Sequence, residues 1–208
     1  MRRIGIFGGT FDPVHLGHLV MAEQCREQAQ LDEVWFIPAA RPPHKRNQPI
    51  TSFRQRVEML ALALASNAAF RVEEVEKDRP GPSYTVDTLA EIRQRFPDAE
   101  LHLVIGADSV ADLPLWYQPI RLIQQAILLV FPRYGSPRFD AESLRAALRA
   151  PPEVSLRYQE IDAPIIGISG REIRRRVFQG RSIRYWVPAA VEAYIHQHRL
   201  YKDHPPEA

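Results

Sequence analysis

Directly behind a short apolar run (Ile4, Ile6, Phe7) stands Gly8-Gly9-Thr10-Phe11-Asp12-Pro13-Val14-His15-Leu16-Gly17-His18, and no other stretch limits so sharply what this chain can become. A strand that breaks at two glycines, turns at Asp12-Pro13 and enters an amphipathic helix over about residues 17–30 is how α/β proteins aim backbone N–H groups and a positive helix end at a phosphate. His15 and His18 stand three residues apart where that helix begins, so both reach one anionic group. The spacing is neither the dinucleotide fingerprint G-x-G-x-x-G nor the P-loop G-x-x-x-x-G-K-[ST], so neither of those phosphate grips applies. Asp12 reads as the turn-forming half of Asp-Pro.

Strands and helices then alternate. Buried strands are expected at residues 33–38, 70–75, 101–105 and 126–131, with an edge strand at 154–161. Ser52 offers an N-cap to a helix reaching about residue 66, with Val57, Leu60, Ala61 and Leu64 as its apolar stripe. Further helices are expected at about 85–96, 120–125, 140–149, through 177, and from Pro188 onward with Val191, Tyr194 and Ile195 inward. Strands that are apolar throughout, separated by helices, predict an α/β fold: a doubly wound, mostly parallel sheet with helices on both faces. Ligands of such sheets lie beyond the carboxyl ends of the strands. There the glycine turn, Gly106-Ala107-Asp108 and Ser169, which follows the apolar run 165–168, are expected to gather. The chain reads as one domain over 1–208, with a C-terminal helical part (about 165–202) packed on it.

Composition mainly excludes. An apolar fraction of 45% and a charged fraction of 25% are ordinary for a globular chain and argue against disorder. A net charge of +2 argues against a nucleic-acid surface but leaves room for a local basic pocket. No window reaches the roughly 18 apolar residues of a membrane span. The single cysteine, Cys25, reads as a small apolar core residue and suits a reducing compartment, so a cytoplasmic protein is expected.

A second constellation stands far along the chain. Ser169-Gly170-Arg171-Glu172 has the form of a capping box, with Ile173 and Val177 on one face and Arg174 at its edge. Arginines in the first turn of a helix oppose its dipole, so Arg171, Arg174 and Arg175 suit a polyphosphate better than they suit stability. The ordinary alternative is a solvated face with Glu172 paired to Arg176.

The run from Gly8 to His18 resembles the G-G-T-F-D-P-x-H-x-G-H motif of the nucleotidyltransferase superfamily without a departure. Ile168, Ser169, Ile173 and Arg174 resemble its I-S-x-T-x-I-R motif, which departs here at Gly170 and Arg171. The segments Pro42-Pro43-His44-Lys45, Ser83-Tyr84-Thr85-Val86-Asp87-Thr88-Leu89, Ile105-Gly106-Ala107-Asp108-Ser109 and Leu113-Pro114-Leu115-Trp116 are similar to those of the nicotinate-nucleotide adenylyltransferases. So is the ending Val187-Pro188, Tyr194-Ile195, Leu200-Tyr201. The resemblance implies a Rossmann-like fold and the reaction of ATP with nicotinate mononucleotide to give deamido-NAD and pyrophosphate. By the same resemblance His18 and His15 are catalytic. ATP is held by Gly8, Gly9, Thr10, Phe11, His15, His18, Lys45, Gly106, Asp108, Ile168, Ser169 and Arg174, and the mononucleotide by Thr85, Trp116 and Tyr117.

Physical reasons run beside the resemblance. Thr85 opens a helix, whose positive end favours the nicotinate carboxylate over a neutral carboxamide. Trp116 offers either a flat face for the pyridine ring or a core side chain. Arg133 is assigned to the adenine side, and His44 either to phosphate or to its own loop. Mg²⁺ is expected to be held mainly by ATP phosphates and water, because no carboxylate cage is visible, and no residue is assigned to a metal. No nucleic acid or membrane partner is expected, and a homo-oligomer stays open. The rival readings are an adenylyltransferase acting on phosphopantetheine or nicotinamide mononucleotide, a cytidylyltransferase, and a regulatory module that binds ATP without turnover.

Overall fold

The computed structural model describes residues 1–43, 49–133, 135 and 138–202. Its strands are β1 (Arg3–Gly9), β2 (Glu33–Pro38), β3 (Phe70–Val72), β4 (Glu100–Gly106), β5 (Ile127–Phe131) and β6 (Tyr158–Glu160). Its helices are α1 (Leu16–Gln28), α2 (Phe53–Leu64), α3 (Thr85–Arg95), α4 (Ala107–Asp112), α5 (Pro119–Gln125), α6 (Ala141–Leu148), α7 (Gly170–Phe178) and α8 (Ala189–Gln197). The strands form one sheet in the order β3-β2-β1-β4-β5-β6, and every pair is parallel. This is the doubly wound α/β fold the sequence predicts.

Alternation along each strand builds two cores. Ile4, Ile6, Trp35, Ile37, Leu103 and Leu128 point to one face, where α3, α5 and α6 add Leu89, Leu122 and Leu144. Phe7, Val34, Phe36, Val104 and Leu129 point to the other, covered by α1, α2, α7 and α8 through Met21, Met59, Ile173 and Ile195. Both faces are buried, which is why the strands lack polar alternation. The chain winds one way from β1 to β3 and the other from β4 to β6. The carboxyl ends of β1 and β4 therefore flank the point where a cleft opens.

Several local expectations shift. β1 runs on through Gly8 and Gly9, which pair with Ile37 and Pro38, so the glycines do not break it. β3 ends at Val72 rather than near residue 75. Ser52 does cap α2, accepting from the Gln55 amide at 3.3 Å, but the buried stripe is Arg56, Met59, Leu60, Ala63 and Leu64. Ala61 is exposed and Val57 only half-buried. The apolar run before Ser169 forms no strand; Ile165 is exposed, while Ile166 and Ile168 pack against the core as a loop. Cys25 is fully buried and burial pushes its thiol up to about 12, leaving it inert as expected. Among the described residues no helix is long and apolar enough to cross a membrane.

Candidate active site

The turn between β1 and α1 is a clasp for one histidine ring. His15 is the N-cap of α1, and its backbone N–H donates to His18 Nδ1 at 3.2 Å. With Nδ1 accepting, neutral His18 carries its proton on Nε2. The His18 ring stacks on His15 with centroids 3.6 Å apart, and Phe11 and Phe7 meet it edge-on at 5.0 and 5.9 Å. Burial first, then the neighbouring His15 and Arg133, pushes His18 well below the ordinary histidine range. Burial and Arg133 lower His15 to about 3, so both rings are neutral at pH 7. The first amide of α1 is already engaged, since Leu16 N–H donates to the Trp186 carbonyl at 3.0 Å. That leaves the His18 Nε2–H as the side-chain donor at this helix start.

Asp12, expected only to shape the turn, has all three of its oxygens engaged. Its carbonyl accepts from Arg174 Nη1 at 2.6 Å, its Oδ1 from the Tyr201 hydroxyl at 2.7 Å and its Oδ2 from the Thr51 amide at 3.2 Å. Burial and this carboxylate raise the Tyr201 phenol well above its usual value. The start of α7 thus abuts the glycine turn. A Cβ at Gly170 would lie 2.9 Å from the Asp12 carbonyl oxygen, a close approach that only glycine permits without a shift. Ser169 caps α7 by accepting from the Glu172 amide at 3.2 Å. Glu172 does not complete a capping box and pairs with Arg175 at 2.7 Å rather than with Arg176. Arg176 instead donates to the Ser182 carbonyl and lies over Trp186. Arg171 is exposed.

A cleft of about 440 Å³ opens beside this clasp. Gly8, Gly9, Thr10 and His18 from the β1–α1 connection line it together with Thr85, Trp116 and Tyr117. Gly106, Asp108 and Arg133 line it too, and Arg133 Nε lies 3.4 Å from Asp108 Oδ2. Thr85 is the first residue of α3, as predicted. Trp116 lies between its two readings, packing partly against the core while lining the cleft. Tyr117 is 47% exposed and stacks on Tyr84 at 4.5 Å. Phe11 and His15 are buried behind the cleft wall, and Ile168, Ser169 and Arg174 stand on the α7 side rather than in the lining. Lys45 and His44 lie outside the described residues, as does His204.

Some members went unpredicted. Glu76 is buried in the cleft wall, accepting from the Thr88 hydroxyl at 2.6 Å and the Ala40 amide at 3.3 Å. Arg56 is buried beneath Thr10. A helical wheel carried one residue further would have flagged Arg56 in line with Met59 and Leu60; Glu76 carries no such signal. His102 pairs with Glu100 at 3.0 Å and His198 stacks on Tyr194, in keeping with packing roles. Among the described residues no three His, Cys, Asp or Glu side chains come together as a metal site.

A glycine-ended strand at the switch point of a parallel sheet, with neutral donors beside one cleft, is the setting in which α/β proteins hold nucleotides, and similarity to known proteins gives the class as a nucleotidyltransferase. A family model described as cytidylyltransferase-like matches residues 6–176. A protein of Thermus thermophilus named probable nicotinate-nucleotide adenylyltransferase is 48% identical over 96% of this chain and all of its own length. The nicotinate-nucleotide adenylyltransferase of Bacillus subtilis is 42% identical over 97% of this chain and all of its own. This chain belongs to the nicotinate-nucleotide adenylyltransferase family, within the cytidylyltransferase-like group. The fold agrees: a Plasmodium falciparum nicotinic acid mononucleotide adenylyltransferase solved with NaAD superposes at a TM-score of 0.81, with 19% identity, 98% of this chain and 99% of that one.

Proposed function

We infer that this chain transfers the adenylyl group of ATP to nicotinate mononucleotide, releasing pyrophosphate and forming deamido-NAD. The observation that carries the reading is one cleft lined both by His18 and the glycine-ended tip of β1 and by the start of α3 with Trp116. The mononucleotide phosphate, already an anion, attacks the α-phosphorus of ATP in line and expels pyrophosphate, so no general base is needed. Catalysis rests on positioning and on donors aimed at developing charge. His18 Nε2–H donates to an α-phosphate oxygen, and the Thr10 turn holds its neighbour. His15 supports the His18 ring from behind and completes the phosphate grip. Arg174 and Lys45 neutralise the triphosphate and the departing pyrophosphate. Asp108 accepts from the ATP ribose hydroxyls, leaving Arg133 for the adenine side. Thr85 and the Tyr117 amide hold the nicotinate carboxylate, and Trp116 stacks on the ring.

Mg²⁺ fits this site as a companion of the phosphates, because among the described residues the cleft's carboxylates do not cluster: Asp108 lies beside Arg133, and Glu76 accepts from Thr88 and Ala40. When bound, it neutralises phosphate charge and is held by phosphate oxygens and water. Residues 1–208 act as one domain; the Leu16–Trp186 and Asp12–Tyr201 contacts support the packing of 165–202 on the rest. The activity belongs in the cytoplasm, where nucleotides are made. Pyrophosphate release from ATP tests the reading, with nicotinate mononucleotide, nicotinamide mononucleotide and phosphopantetheine offered in turn. Release with the first far exceeding the others is expected, and none with any of them would leave only a nucleotide-binding module.

A further inference from the structure

An arginine sits where α2 should carry a leucine. Arg56 is 2% exposed, in line with Met59, Leu60 and Ala63 on the face that packs against the sheet. Its Nη1 donates to the Thr10 carbonyl at 2.7 Å, its Nη2 to the Ala39 carbonyl at 2.9 Å and its Nε to the Thr51 carbonyl at 2.9 Å. These acceptors come from three separate segments. Thr10 ends the glycine turn, while Ala39 and Thr51 are the two shoulders of the basic loop between them.

Each shoulder is pinned again on its other side. Ala39 N–H donates to the Gly9 carbonyl at 2.8 Å, and Thr51 N–H donates to Asp12 Oδ2. The guanidinium is therefore the hub that ties Ala39 and Thr51 to Thr10, just past the end of β1.

The charge needs a separate reason. Carbonyl dipoles satisfy the N–H groups of Arg56 but leave its full positive charge in a buried place, which is unfavourable without an anion. Burial works against that charge, and the Asp12 and Glu76 carboxylates offset this in part. Both carboxylates lie to the side of Arg56 without a direct ion pair to it, since its N–H groups all go to the Thr10, Ala39 and Thr51 carbonyls. A neutral side chain on this helix face would avoid the cost altogether. A cation one residue behind the phosphate turn is compensated when a polyphosphate arrives, because buried charges interact strongly through little solvent.

We propose that Arg56 is a positioning residue for ATP, holding Thr10, Ala39 and Thr51 in register with one another and supplying buried positive charge beneath the triphosphate. The inference rests on the reading that this cleft takes ATP. Two variants separate its parts: R56M removes charge and bonds, while R56K keeps the charge but cannot span three carbonyls. Pyrophosphate release is measured with each substrate varied, alongside melting of each variant without substrate.

In R56M the KM for ATP rises by about tenfold or more while that for nicotinate mononucleotide stays within about twofold; in R56K most of the ATP KM returns but kcat stays about tenfold low. A scaffold role alone would move both KM values together, and that result, or wild-type kinetics in both variants, overturns the proposal. Should R56M fail to fold, R56K decides alone: a low kcat with an unchanged mononucleotide KM supports the proposal, and a wild-type kcat ends it. Unsubstituted protein that releases no pyrophosphate defeats the adenylyl-transfer reading instead, so the two failures are distinct.

Discussion

Two regions beside the cleft are built in opposite ways. Around the β1–α1 connection, the proposed phosphate end, His15 and Phe11 are 2% exposed, and every oxygen of Asp12 has a partner from a different part of the chain. Around residues 115–117, the proposed pyridine end, Leu115 is 85% exposed, Tyr117 is held by a stack on Tyr84, and the flanking helices α4 and α5 have only six and seven residues. Stabilising charge in a transition state requires donors that do not reorganise during the reaction, which explains the first design. Admitting and recognising an acceptor tolerates a surface that adjusts, which explains the second. Burial and hydrogen bonding are concentrated at the proposed phosphate end, and exposure at the proposed acceptor end.

That contrast breaks most sharply at His18. His18→Ala should lower kcat by about 10²–10³-fold, the usual loss for one preorganised donor, with melting temperature nearly unchanged. Near-wild-type turnover would remove this ring from the chemistry. The pyridine end is sharpened by substrate choice. Nicotinate mononucleotide should exceed its nicotinamide counterpart by about 10²-fold in kcat/KM, because a charged acceptor meets the start of α3 with roughly doubled hydrogen-bond strength. Equal values would defeat the helix-end argument.

A smaller effect belongs to Trp116→Ala, which should raise the mononucleotide KM by about tenfold, the scale of one aromatic stack, and leave the ATP KM alone. Parallel changes in both constants would mean that the two ends are not separable. The gentlest test is acid. Folded His15 titrates at about 3, below its ordinary value near 6.5, so between those values the unfolded chain binds the extra proton. Stability is then full above pH 6.5 and should fall on acidification by about 1 kcal/mol per pH unit from this group, read by urea unfolding from pH 7 to 5. His15→Asn should flatten that slope. An equally steep slope in the variant would show that His15 is not held neutral.

Legibility followed the reach of the interactions. The strands were readable because burial on both faces demands apolar runs, and Ser52, Ser169 and Pro188 opened their helices as read because the cap of a helix lies within a few residues. The pairing of Glu172 was missed by one residue, since i,i+3 and i,i+4 partners are nearly equivalent on a helix. The α2 stripe was misassigned because Ala61 and Val57 are apolar without being buried, while a charged residue took the core position.

What the sequence alone determined is the chemistry carried within short stretches: a histidine pair at a helix start, a threonine opening α3 and a parallel sheet to hold them. What only tertiary structure decided is how distant segments share single atoms. Tyr201 and Arg174 meet Asp12 from 189 and 162 residues away, and Arg56 gathers three carbonyls. Local periodicity encodes which face a side chain takes, whereas the partner of a buried polar atom is set by which loops the folded sheet brings within hydrogen-bond range.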